Sequence, residues 1–145
     1  MGLIGNFSTY TYTDHETETE GQQITYSPNI PADDPNYENR GQTVTVNVPL
    51  RVETETVHSN KYININSSTT FIANILKDGI QQDVRMVNFC YRSYASKAAR
   101  DTNIIDFEIE EHSPVFELPN GDRTEVQKSY DLLKTIQGFS NMVYS

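Results

Sequence analysis

The sequence predicts a mainly β fold: an antiparallel β-sandwich or barrel with one C-terminal α-helix and an extended N-terminal arm. Three observations lead there. Fifteen Thr and thirteen Asn make up about a fifth of the 145 residues, alongside nine Tyr. Thr is β-branched and fits a pleated surface, whereas Asn favours turns. Apolar and polar residues also alternate over several long runs, and helical spacing with a cap signal occurs only near the C-terminus. The length suits one domain. The expected organisation is a single β-rich domain over residues 1–145, with 14–42 as an acidic, Pro-containing arm or long loop and 124–138 as a helix.

Each element follows from its residues. Phe7 to Tyr26 holds two strand-like pieces joined by Asp14–Gln22, in which Thr17 and Thr19 alternate with Glu16, Glu18 and Glu20. A strand carrying those glutamates suits an exposed edge, where charge blunts edge-to-edge association. Ser27 to Gln42 contains three prolines and the Asp33–Asp34 pair, and reads as a long connection. Thr43 to Val57 is the clearest strand. Val44, Val46, Val48, Leu50 and Val52 share one face, and Pro49 requires an edge or a bulge.

Lys61 to Asn66 alternates again, and Phe71 to Ser93 reads as strand, Lys77-Asp78-Gly79 turn, strand. The second of these strands is apolar on both faces, which predicts a central position. Ser93 to Asp101 has the composition of a short helical turn, and Ile104 to Glu111 alternates once more. Thr124 with Gln127 matches a capping box, and Val126, Tyr130, Leu133 and Ile136 follow at helical spacing up to Gly138. The expected core is Val44, Val46, Val48, Val52, Ile63, Ile65, Val84, Met86, Phe89, Ile105, Phe107, Ile109, Leu133 and Ile136.

Twenty acidic residues against eleven basic give a net charge of −9. That balance excludes binding along a nucleic-acid backbone, which needs Lys and Arg density. The acidity is uneven: the first forty residues carry a net −6 and the remaining 105 a net −3. No apolar run has the roughly 18 residues of a membrane helix, and Met1 to Asn6 shows no secretory signal. A single cysteine, Cys90, excludes an internal disulfide.

No constellation carries catalysis, so the chain is expected not to be an enzyme and to hold no cofactor. His15, His58 and His112 lie far apart, without metal-ligand spacing. Asp106, Glu108 and Glu110 read as the solvated face of a strand, and Cys90 as a small buried hydrophobe. No phosphate loop or nucleophile elbow occurs. Asn6-Phe7-Ser8 and Asn66-Ser67-Ser68 fit a glycosylation sequon, which has meaning only on a secretory route.

The one basic cluster, Arg92, Lys97 and Arg100 with Tyr94, is expected to dock the acidic arm of a neighbouring copy. The arm would contribute Asp14, Glu16, Glu18, Glu20, Asp33, Asp34 and Tyr37 to that interface.

The Thr/Tyr-rich opening FSTYTYT, the Pro-rich acidic arm, the segment NFCYRSYASKAARDTN and the C-terminal SYDLLKTIQGF together give the chain a style that resembles small virion structural proteins of tailed bacteriophages. The resemblance covers most of the chain and rests on no single diagnostic motif. It implies a β-rich, cofactor-free subunit of tail, baseplate or neck, assembled in the host cytoplasm. Such a subunit contacts other virion proteins and copies of itself. A capsid decoration protein or a carbohydrate- or receptor-binding β module is the alternative, and the absence of Trp weighs against sugar binding.

Overall fold

The computed structural model describes every residue from Met1 to Ser145. The chain is mainly antiparallel β, as its alternation predicts, with one helix near the C-terminus and a second, shorter one. The strands are β1 (Leu3–Thr25), β2 (Thr43–Lys77), β3 (Ile80–Tyr94), β4 (Ile109–His112), β5 (Phe116–Glu117) and β6 (Val143–Tyr144). Helix α1 covers Lys97–Thr102 and α2 covers Glu125–Thr135. All six strands belong to one sheet in the order β4-β3-β2-β1-β6, with β5 also pairing with β3. The strand that is apolar on both faces, β3, lies inside the sheet as its sequence predicts.

Local chemistry explains the elements. Asp78 and Gly79, with φ of 53° and 77°, form the two-residue turn that joins β2 to β3 and sets Lys77 opposite Ile80. That conformation is the one Asp-Gly favours in hairpins. Helix α2 begins with the predicted capping box. The Thr124 hydroxyl accepts from the Gln127 amide, and the Gln127 side chain accepts from the Thr124 amide. Pro49 falls where β2 has a strand neighbour on one side only, because β3 pairs with β2 from Tyr62 onward.

Within the chain, contacts group into two compact units. The core unit contains Met1–Thr9 and Thr56–Ser145, and the ribbon unit is Tyr10–Glu55.

In the core unit, Leu3, Phe7, Ile63, Phe89, Tyr91, Tyr130, Leu133, Phe139 and Met142 form one buried cluster. Phe7 stacks between His58 and Phe139, at 4.6 and 5.0 Å between ring centroids. Tyr91 meets Phe139 edge-on at 5.4 Å. Both chain ends are tied in. Leu3 pairs with Tyr144 across β1 and β6, and the Ser145 amide donates to the Gly2 carbonyl at 3.0 Å.

The ribbon unit holds the distal part of β1, the initial part of β2 and the loop between them. Hydrogen bonds close it at the loop: the Thr25 and Thr43 hydroxyls lie 2.9 Å apart, and the Tyr26 amide donates to the Gln42 carbonyl at 3.0 Å. Residues 14–42 comprise the distal part of β1 and the long loop that follows it, which includes a single 3-10 turn at Tyr37–Asn39.

The expected core needs correction in two places. No residue from Tyr10 to Glu55 is buried. Val44, Val46 and Val48 are half-buried and Val52 is 37% exposed, because a two-stranded ribbon has no second layer to cover its apolar face. Ile105 is 72% exposed because Ile104–Glu108 does not continue as a regular strand; β4 begins at Ile109. Ile63, Val84, Phe89 and Leu133 are buried as expected.

Tyr91 provides a pH-dependent test of the core. Burial, followed by the negative charge of its cross-strand neighbour Glu111, pushes its phenol up to about 12. Below pH 10 the group is protonated whether the chain is folded or not, so its contribution is complete there. As pH rises from 10 toward 12 the unfolded chain ionises first, and stability falls by up to about 2–3 kcal/mol. Urea titrations across that window should show this loss, and Tyr91→Phe should reduce the slope, the remainder belonging to Tyr130 and Tyr144, whose phenols burial also raises.

Candidate functional site: an acidic ribbon

The residues expected to form an interface divide between the two units. Asp14, Glu16, Glu18, Glu20, Asp33, Asp34 and Tyr37 belong to the ribbon, and Arg92, Tyr94, Lys97 and Arg100 to the core unit. The basic group is engaged internally. The Arg92 guanidinium donates to Glu110 at 2.5 Å and lies 4.4 Å over the Phe107 ring. Lys97 and Arg100 both pair with Asp101, at 2.7 and 3.1 Å. Lys97 first, and then Arg100, hold the Asp101 carboxyl below its ordinary range. Tyr94 is fully buried, and its hydroxyl donates to the Ile104 carbonyl at 2.7 Å. This cluster braces α1 and the following loop against β3.

The ribbon has the opposite character. It carries nine carboxylates against two cations, Arg40 and Arg51, a net of −7. Both arginines lie on tyrosines: Arg51 is 4.5 Å over Tyr12, and Arg40 is 3.9 Å over Tyr37. A hydrogen bond to Glu53 raises the Tyr12 phenol above its usual value. Seven ion pairs, from Lys61–Glu108 to Arg123–Asp131, lie within the core unit, and none involves Asp14, Glu16, Glu18 or Glu20. In the loop, Asp34 accepts from the Asn36 amide at 2.7 Å, a local turn bond.

Two shallow depressions bring acidic and apolar side chains together on this unit. One, of about 650 Å³, is lined by Tyr12, Asp14, Glu20, Val48, Pro49 and Arg51 among others. The other, of about 450 Å³, is lined by Asp14, His15, Glu16 and Val52 with neighbouring threonines. At the second, the His15 Nδ1 accepts from the amides of Thr17 and Glu18, at 3.2 and 2.9 Å. The chain matches no family model, no curated protein and no solved structure.

Sequence reading located the carboxylates of this surface but missed Tyr12, Val48 and Arg51. The strict alternation around Val48 is the pattern of a strand with one covered face, and no residue in the ribbon announces that the cover is missing. No group of three or more His, Cys, Asp or Glu side chains comes together in a metal-holding arrangement, and no helix is long and apolar enough to cross a membrane.

Cys90 sits in β3 opposite His112 and is buried. Burial first, and then the charge of Glu110, push its thiol up. The native protein should therefore react with a thiol-specific reagent more slowly than the urea-unfolded chain, since Cys90 is only 5% exposed in the folded state. Equal labelling rates would place Cys90 at the surface.

Proposed function

We propose that the protein is a non-catalytic structural subunit that works by repeated protein–protein contacts, with the ribbon as one of its contact elements. One observation carries the reading. A regular Val/Leu strand face stands in a unit that buries no residue of its own. An isolated hairpin is only marginally stable in water, so such a face gains stability when a partner covers it. The resemblance to small virion proteins of tailed phages supplies the setting: tail, baseplate or neck, beside other virion proteins and further copies of the chain.

A carbohydrate- or receptor-binding module is the second reading, favoured by the exposed Tyr12 beside Asp14, Glu20 and Arg51 in the larger depression. Mass photometry and negative-stain microscopy of the purified protein separate the two. Discrete rings or trimers are the expected result. A monomer at every concentration, with selective retention on a glycan array, would replace the structural reading with the second.

A further inference from the structure

The ribbon's charge and apolar pattern define the chemistry of what covers it. A second copy is a poor occupant. Each ribbon carries a net −7, and seven of the core unit's nine cations are already held in ion pairs. Bringing two such ribbons together sets like charges opposite one another at an interface. Glutamates along an exposed strand are also a known obstacle to self-pairing. Nucleic acid is excluded by the same sign of charge.

We propose that the ribbon docks an extended segment of a different, basic protein in which apolar side chains alternate with Lys or Arg. Apolar side chains of that segment meet Val48 and Val52, and its cations meet Asp14, Glu16 and Glu20, which line the same two depressions. The ribbon can also accept a strand along its edges. The outer edge of β1 pairs with β6 only at Leu3 and Ile4, and β2 pairs with β3 only from Tyr62 onward. Along the ribbon, each strand therefore has a sheet neighbour on one side only, which is the geometry of strand addition. This inference rests on the ribbon being a contact element and adds the nature of its partner.

The test uses the full chain, isotope-labelled for amide NMR, with two short synthetic peptides: one alternating Lys and Val, the other Glu and Val. The expected result is saturable shifts confined to amides of residues 10–55 with the Lys/Val peptide and none with the Glu/Val peptide. The affinity should fall on the order of tenfold in the triple variant Asp14→Asn, Glu16→Gln, Glu20→Gln, since three exposed charge pairs are removed. A peptide alternating Lys and Ser should bind more weakly than the Lys/Val peptide. Shifts on the core unit instead, equal binding of both charged peptides, or an unaltered affinity in the triple variant would overturn the proposal. So would ribbon shifts that appear with protein concentration alone, which would make a second copy the occupant. Oligomers that form while the ribbon ignores the Lys/Val peptide sink this inference alone; a monomer that binds the peptide on its ribbon sinks only the self-assembly part of the reading above.

Discussion

Phe7→Ala should destabilise the core unit by about 3–5 kcal/mol, the range for emptying a large aromatic site in a packed interior. Phe7 is 2% exposed and stacked between His58 and Phe139, so its removal strips a face from each of those rings. Neither neighbour can collapse freely into the gap. His58 shares a 2.9 Å hydrogen bond with the Thr9 hydroxyl, and Phe139 also packs edge-on against Tyr91. Urea denaturation followed by far-ultraviolet circular dichroism measures the loss. A change below about 1 kcal/mol, the size of an ordinary surface substitution, would mean that the N-terminal strand contributes little to the core.

Tyr130→Phe should cost about 2–3 kcal/mol, with almost no change in volume. The Tyr130 hydroxyl donates to the Met1 carbonyl at 3.0 Å and accepts from the Ile65 amide at 3.0 Å and the Asn64 side-chain amide at 3.2 Å. It thereby joins the start of the chain, β2 and α2 through one oxygen, and the side chain is 1% exposed. Removing the oxygen leaves the Ile65 amide without that acceptor in a partly buried position, where an unmet donor costs about 1–3 kcal/mol. Asn64 retains its 3.3 Å bond to the Met1 carbonyl, which limits the damage. A double-mutant cycle of Tyr130→Phe with Asn64→Ala should show coupling between the two sites.

The local grammar of the fold was legible in the sequence. Asp78-Gly79 names its turn, Thr124 and Gln127 name the start of α2, and period-two alternation names β2 and β3. These signals act over two to four neighbouring residues, so no distant information is needed. The core was legible only in part. Leu3, Phe7, Phe139 and Met142 lie near the two chain ends, and their burial depends on those ends meeting, which alternation cannot express. Tyr62, Tyr94 and Tyr130 are buried with partners for their hydroxyls, and the expected core included none of them. The valines of β2 show the reverse error: identical alternation describes a face covered by the chain's own second layer and one left without it.

The carboxylates of the acidic surface were recognisable as a group because charge density is a linear property of the chain. The basic cluster was recognisable for the same reason, but its internal pairing was not, since such a cluster reads the same whether free or paired. Glu110 lies 18 residues from Arg92 and is aligned with it by β3–β4 pairing.

The meeting of the chain ends also constrains how the protein is made. Leu3 and Phe7 cluster with Leu133, Phe139 and Met142, which follow them by well over a hundred residues. The core unit therefore cannot consolidate until Met142 has been made, and its long-range contacts are a topology associated with slow folding. The ribbon is different, because its two strands are joined by one loop and can pair as soon as both have left the ribosome. Until the core closes, the nascent molecule has only the local pairing of the ribbon to draw on, and a two-stranded hairpin of that kind is marginal by itself.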